Sequence, residues 1–190
     1  MHTPPALTLR PLIAGDAETV AAWSLDATFV ARAEWTPGLP LADHEKFWRT
    51  IIADPPEREL LRLGVVHDSA LVGYVDLYGL DPAERELGYV IGPSTRWGQG
   101  LGEAAARAGL EHAFERLGLA SVWAEAIPLN VPSVRILERI VMRYTGTGDE
   151  AQFLGATAHY AQYRIAAGDY RAARALDQGT QAPNQGTGPR

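Results

Sequence analysis

Three glycines, Gly98, Gly100 and Gly102, stand where a strand gives way to a helix. Glycine lets a backbone approach a ligand closely and adopt positive φ. The first turn of a helix offers unpaired N–H groups at the positive end of the helix dipole. Together these make an anion site suited to phosphate. A P-loop would close with Gly-Lys-Ser/Thr; this chain has Gly100-Leu101-Gly102-Glu103 and is not one. A dinucleotide-binding turn wants a third glycine where Glu103 stands, although Glu125 lies near the place of its ribose-binding acid. That turn would also sit mid-chain, behind a spacer over residues 93–96. An ordinary helix-entry turn would need no ligand at all.

Such a turn works only if a strand delivers it and a helix leads away from it. Alternation predicts strands over residues 7–10, 61–67, 70–77 and 86–91, the middle two forming a hairpin. Helices are expected over 16–25, opened by Asp16 with Val20 and Trp23 inward, and over 43–53, ahead of Asp54-Pro55-Pro56. After the glycines, Leu101, Ala105, Ala108, Ala113, Phe114 and Leu117 keep a helical stripe that Gly118 ends. A strand over 121–126 follows, then a helix over 131–140 with Asn130 as cap and Pro132 in its first turn. Strands over 142–147 and 158–165 and an Ala-rich helix over 167–176 complete the chain. The order implies an α/β mixed sheet with helices on both faces.

With 190 residues, 46% of them hydrophobic and 21% charged, residues 1–177 read as one globular domain. The stretch 178–190 is Gly, Thr, Gln, Pro and Asn and is expected to be a disordered tail. A net charge of −6 argues against nucleic-acid binding. No long apolar run is present, so no membrane partner is expected. There is no Cys, which excludes a thiolate metal site and a cysteine nucleophile. The five histidines show no metal-ligand spacing, so no metal is expected. The N-terminus shows no secretory pattern, and a cytoplasmic location is the expectation.

A third ligand for the glycine turn is the pyrophosphate of coenzyme A, and here the chain resembles the GNAT superfamily of N-acetyltransferases. That family carries (Gln/Arg)-x-x-Gly-x-(Gly/Ala) at this helix entry. Gly100 and Gly102 take the last two positions, while Trp97 stands where Gln or Arg is usual. A Trp followed by Gly98 is similar to the RimJ/RimL-like branch. Glu86-Leu87-Gly88-Tyr89-Val90-Ile91 resembles that branch's Glu-x-Gly-Tyr strand, and Asn130 to Arg139 resembles the family's Asn-x-x-Ser…Leu-Glu-Lys helix. A Gly-Phe pair would normally follow; Val141-Met142 stands there instead.

The resemblance implies a GNAT-like fold: a mostly antiparallel sheet with one parallel, splayed strand pair. It implies acetyl-CoA as co-substrate and an amine as acceptor, either a protein N-terminus or a small molecule. A homodimer is among the assemblies it allows. It assigns the coenzyme to Arg96, Trp97, Gly98, Gln99, Gly100, Leu101 and Gly102, with Asn130 on the pantetheine arm and Ser133 near the sulfur. It further implies a bulge that splays the fourth strand and frees N–H groups among Tyr89, Val90, Ile91 and Gly92, with Val90 and Ile91 the first choice.

Acetyl transfer needs a neutral amine, a stabilised oxyanion and a stabilised leaving thiolate. Glu86 is the first candidate for base, because its strand presents the thioester; a structural carboxylate is the alternative. Glu84 and Glu150 are weaker candidates, and water can serve. The family's phenolic acid falls at Leu137, so Ser133 is the candidate to act at the sulfur, with helix capping as its alternative role. Tyr144, Tyr160 and Tyr163 read as packing residues before acids. Trp23, Trp35 and Trp48 read as core first and as an acceptor pocket second. A non-catalytic acyl-CoA-binding sensor or partner module is the alternative function.

Overall fold

The computed structural model describes residues 5–55 and 59–180. The chain runs β1 (Thr8–Pro11), α1 (Asp16–Ala22), α2 (Ala27–Arg32), α3 (Leu41–Ala53), β2 (Leu60–His67), β3 (Ala70–Tyr78) and β4 (Glu84–Ile91). It continues with α4 (Leu101–Glu111), β5 (Ser121–Ala126), α5 (Val131–Arg139), β6 (Arg143–Phe153), β7 (Ala156–Ala166) and α6 (Ala167–Thr180). The seven strands form one sheet in the order β1-β2-β3-β4-β5-β7-β6. All neighbours are antiparallel except β4 and β5.

Strand alternation sorts the side chains to two faces. On one, Val75, Leu77, Leu87, Ile91, Val122 and Ala124 pack with Ala105, Leu110 and Phe114 of the α4 segment and Leu137 of α5. On the other, Leu71 and Tyr74 pack with Val20 of α1, Phe29 of α2, Trp48 of α3 and Trp23. The first core is aliphatic and the second aromatic. Trp23 lies within 5.7 Å of Phe29 and 6.3 Å of Tyr74, and Trp48 lies 5.3 Å from Tyr74, all between ring centroids. Trp23 and Trp48 are therefore core residues.

Some elements differ from the sequence-based expectation. The helix from Asp16 stops at Ala22 and tightens into a 3₁₀ turn over Trp23–Leu25. A short helix, α2, follows where none was expected. It holds β-branched Thr28 and Val30 and an aromatic Phe29, so its propensity is low. Asp26 supports it, its carboxylate accepting from the Phe29 N–H at 3.0 Å and from the Ser94 N–H at 2.8 Å. Strands β6 and β7 reach eleven residues each, longer than the expected 142–147 and 158–165. Gly146, Gly148 and Asp149 look like turn residues, but register shifts absorb them within β6. The helix after the glycines ends in a π turn over His112–Arg116, and Gly118 at φ +69° stops it. The backbone of α6 is helical through Thr180; the remainder of the tail, residues 181–190, lies outside the described residues, as do residues 1–4 and 56–58.

β3 and β4 are locked closely. A Cβ at Gly73 would run into the Val90 carbonyl oxygen, and its next neighbour, Ile91 Cδ1, would be 2.8 Å away. Backbone cannot give way there as a flexible side chain can. Gly73→Ala is expected to lower stability by about 1–3 kcal/mol, read as a fall in the urea midpoint with little change in slope.

Candidate active site

The parallel ladder between β4 and β5 holds only three pairs, Glu84 with Ser121, Arg85 with Val122 and Glu86 with Trp123. Beyond Glu86 the strands part, and β4 runs on to Ile91 with its β5-facing edge open. The β3–β4 register continues from Glu86 to Ile91 without a shift, so the splay occurs without the expected bulge there. The Gly92 N–H donates to the Val72 carbonyl at 3.0 Å. Antiparallel alternation then turns the Val90 N–H toward β3, opposite Tyr74, and the Tyr89 and Ile91 N–H groups toward the gap. Of the expected pair, Ile91 faces the opening; Val90 does not, and Tyr89 takes its place.

At the far end of β4 the chain turns over Ser94–Arg96 into the glycines. Gly98 (φ +77°) and Gly100 (φ +80°) adopt the left-handed conformation that glycine accepts without strain. Gly100 caps α4 with no side-chain hydrogen bond, and the first helical bond runs from the Ala104 N–H to the Gly100 carbonyl at 3.1 Å. The N–H groups of Leu101, Gly102 and Glu103 thus precede the helical ladder, at the positive end of α4. A Cβ at Gly102 would sit 3.0 Å from Ile136 Cδ1, so this glycine sets how closely α4 meets α5.

Trp97 does not reach toward the helix end. Its indole N–H donates to the Ile91 carbonyl at 2.7 Å, on the open edge of β4. Gln99 ties the turn, donating to the Thr95 carbonyl at 3.1 Å. Arg96 carries no ion pair among the described residues. Asn130 caps α5 through its backbone only, and its side chain makes no cap bond. Ser133, three residues on, lies in the first turn. The Tyr89 hydroxyl crosses from β4 and donates to the Ser133 carbonyl at 3.3 Å. Leu137 is buried in the aliphatic core.

Glu86 lies on the opposite face of β4 from Tyr89, the side of α1, α2 and α3. Burial pushes its carboxyl up to about 6, helped by the charges of Glu125 and Asp76. Asp76 is itself bound by Arg62 through two bonds of 2.7 and 2.6 Å, and that guanidinium stacks over Tyr74 and Trp48. Among the described residues Glu125 accepts a hydrogen bond from the Gln162 amide alone, at 3.2 Å. Neither Glu86 nor Glu125 has a cationic partner among the described residues. Glu84, by contrast, is taken by Ser121 and Arg164. Glu150 is exposed on β6, opposite His159 of β7.

On this same side a cavity of about 620 Å³ opens between α2, the loop to α3 and the β6–β7 tip. Val30, Glu34, Trp35, Leu39, His44 and Leu154 are among its walls. The Glu34 carboxylate accepts from the Tyr160 hydroxyl at 3.1 Å. Burial, with the charges of Glu34, Glu125 and Glu86, pushes that phenol up to about 12. Tyr160 thereby connects the cavity to the Glu86–Glu125 pair. Sequence reasoning missed Glu34 and Glu125 as acceptor-side carboxylates: Glu34 lies in a turn with no pattern to mark it, and parity along β5 does not say which face the site occupies. Among the described residues no group of side chains is arranged to hold a metal, and no helix is long and apolar enough to cross a membrane.

Several known proteins resemble this chain. The uncharacterized N-acetyltransferase YnaD of Bacillus subtilis is 31% identical over 80 residues; the match spans 42% of this chain and 46% of that protein. The solved structure of Mycobacterium smegmatis RimJ in complex with CoA-disulfide is 24% identical, with a TM-score of 0.75 over 92% of this chain and 90% of that one. Spermidine N-acetyltransferase from Vibrio cholerae, in complex with CoA and spermine, is 20% identical, with a TM-score of 0.73 over 87% of this chain and 98% of that one. Residues 6–143 match the family described as Acetyltransferase (GNAT) domain. That match runs from ahead of β1 to the start of β6 and takes in both the parted strands and the glycine turn, and so the chain belongs to the GNAT family of acetyltransferases.

Proposed function

We propose that this protein transfers the acetyl group of acetyl-CoA to a primary amine by direct attack. The observation that carries the reading is the parting of β4 from β5 beside the uncapped N-terminus of α4. The turn from Arg96 to Gly102 receives the pyrophosphate, chiefly through backbone N–H groups. The Asn130 amide and Ser133 hydroxyl meet the pantetheine arm. The Tyr89 and Ile91 N–H groups face the thioester oxygen as it becomes anionic. The amine enters from the Glu86 side, through the cavity beside Glu34. Glu86, poised near 6, is mostly ionised at neutral pH and accepts the proton that an ammonium must lose before it attacks.

The acceptor is a cationic amine. Among the described residues Glu86 and Glu125 face the opening without a counter-cation, and Glu34 adds a third carboxylate at the cavity. A wall of Trp35, Val30 and Leu39 admits an alkyl chain. These features favour a small aliphatic amine over a protein N-terminus. The Vibrio relative named for spermidine supports the same reading, as RimJ keeps the RimJ/RimL-like branch in view.

Thermal shift with acetyl-CoA, CoA, NADH and ATP in parallel tests the coenzyme. A ligand at about one hundred times its dissociation constant adds roughly 2.7 kcal/mol. Melting is expected to rise with acetyl-CoA and CoA and to stay put with NADH. A rise with NADH alone overturns the reading, and binding without thiol release across a panel of amines makes the protein a sensor. Gly100→Leu, which forces a side chain onto φ +80°, is expected to abolish the CoA response.

Glu86→Gln separates the base from its surroundings. Rate should rise with pH through about 6 in the wild type as Glu86 ionises. The variant is expected to lose that inflection and roughly 10²-fold in kcat. Its stability should move the other way. A carboxyl raised in the folded state binds more protons folded than unfolded, so its contribution is full below 4.5 and is lost as pH rises through about 6. Glu86→Gln should therefore gain on the wild type across that window, measured by urea unfolding at each pH.

A further inference from the structure

Asp26 stands between the 3₁₀ turn over Trp23–Leu25 and α2. Its Oδ1 accepts from the Phe29 N–H at 3.0 Å and so caps α2. Its Oδ2 accepts from the Ser94 N–H at 2.8 Å, 68 residues away along the chain, in the turn that leads to the glycines. The Ser94 hydroxyl, with the N–H groups of Phe29 and Ser94, holds the Asp26 carboxyl below its ordinary range. We propose that Asp26 is a positioning residue that ties the amine cavity to the coenzyme turn, so that coenzyme binding orders the cavity wall.

The inference rests on the acetyl-CoA reading. On the coenzyme side the turn is braced from within. The Trp97 N–H donates to the Ser94 carbonyl at 3.0 Å, and the Gln99 amide donates to the Thr95 carbonyl at 3.1 Å. A ligand that fixes residues 96–102 therefore fixes Ser94 as well. On the amine side, α2 supplies Ala27, Val30 and Ala31 to the cavity, and Glu34 and Trp35 follow it directly. The Trp35 N–H donates to the Val30 carbonyl at 3.1 Å, and its ring meets Phe29 edge-on with centroids 4.9 Å apart. The Phe29 ring in turn lies 6.5 Å from that of Trp97, between centroids.

α2 is the element that such a tie can move. Six residues with β-branched and aromatic members do not hold a helix on their own. Asp26 and Phe29 place this one, and both connect it to the coenzyme turn. Where α2 sits decides where Glu34 and Trp35 stand. A turn held still by the coenzyme thus presents a formed cavity to the amine. By linkage, an amine that holds α2 tightens the coenzyme.

Asp26→Asn separates the tie from the cap. Asparagine caps a helix about as well as aspartate, so its Oδ1 keeps the Phe29 N–H. Its amide nitrogen then faces the Ser94 N–H, donor against donor. Ser94→Pro cuts the same bond from the other partner and leaves Asp26 in place. Proline suits that position, because Pro93 before it is already extended (ψ 178°) and Ser94 opens its turn. Hydrogen exchange by mass spectrometry, with and without saturating CoA, reads both ends. In the wild type CoA is expected to slow exchange over residues 94–104 and, about fivefold or more, over residues 29–35. Both variants should keep the protection of 94–104 and bring 29–35 to within about twofold of the CoA-free rate. Fivefold protection of 29–35 that survives in either variant overturns the proposal. A wild type protected over 94–104 and not over 29–35 overturns it as well. If CoA protects neither segment, the acetyl-CoA reading itself falls, and the role of Asp26 with it.

Discussion

The rest of the structure depends on a sheet that is left unfinished in its middle. A strand with neighbours on both sides normally pairs every N–H and C=O, because a buried unpaired backbone group costs about 1–3 kcal/mol. β4 pairs with β5 through three residues and then turns away from it. The Trp97 indole meets one of the exposed acceptors, the Ile91 carbonyl. The Tyr89 and Ile91 N–H groups remain directed into the gap. A ligand that completes the ladder gains hydrogen bonds whose geometry was fixed before it arrived. That preorganisation requires β4 to be rigid on its other side, which is the role of the close β3–β4 approach at Gly73. It also requires the end of β4 to be pinned, and Trp23 packs so tightly on Gly92 that a Cβ there would strike the indole ring.

The electrostatics of the gap follow from which carboxylates are neutralised. Glu84 and Glu86 are two residues apart on one strand and share a face. Glu84 lies where the ladder is intact, and Ser121 and Arg164 reach it from β5 and β7. Glu86 lies at the last pair, where β5 begins to diverge, and the residue that comes near is Glu125. Asp76 could have added a third free charge, but Arg62 holds it in a forked pair beneath the aromatic core. The outcome is a local negative potential beside the open edge of β4, built from Glu86 and Glu125, with burial and the charge of Glu125 holding the Glu86 carboxyl up at about 6. A molecule with a positive amine is drawn to this place, and the same field favours taking its proton.

Much of this was legible in the sequence, and the limit has a physical shape. β5, the glycine turn and the core of α4 and α5 were readable because each combines periodicity with a capping or breaking residue. α2 was not, since its six residues owe their helicity to Asp26 and to packing around Phe29. The length of β6 and β7 was hidden because glycines that break isolated strands are tolerated where bulges absorb them. At the site, the glycines stood out by type and spacing, and Glu86 by its place on the strand that the family resemblance gives to the thioester. The choice between the Val90 and Tyr89 N–H groups was not available, because alternation along a strand gives two classes of residue and leaves open which class faces which neighbour. Glu34, Glu125 and Tyr160 come from three separate elements, and only the fold brings them together.

Parity along β4 also divides the chemistry. Glu86 and Tyr89 are three residues apart and so project from opposite faces of the sheet. In the proposed reaction, the thioester lies in the gap between those faces. The amine then approaches from the aromatic side, where the carboxylates are, and Tyr89 reaches the first turn of α5 on the other. Each group can be tuned by its own surroundings. Burial raises both the Glu86 carboxyl and the Tyr89 phenol, each on its own face. A continuous parallel pair of strands would place a wall between the two. Parting the strands after one short ladder opens the gap to both faces of the sheet.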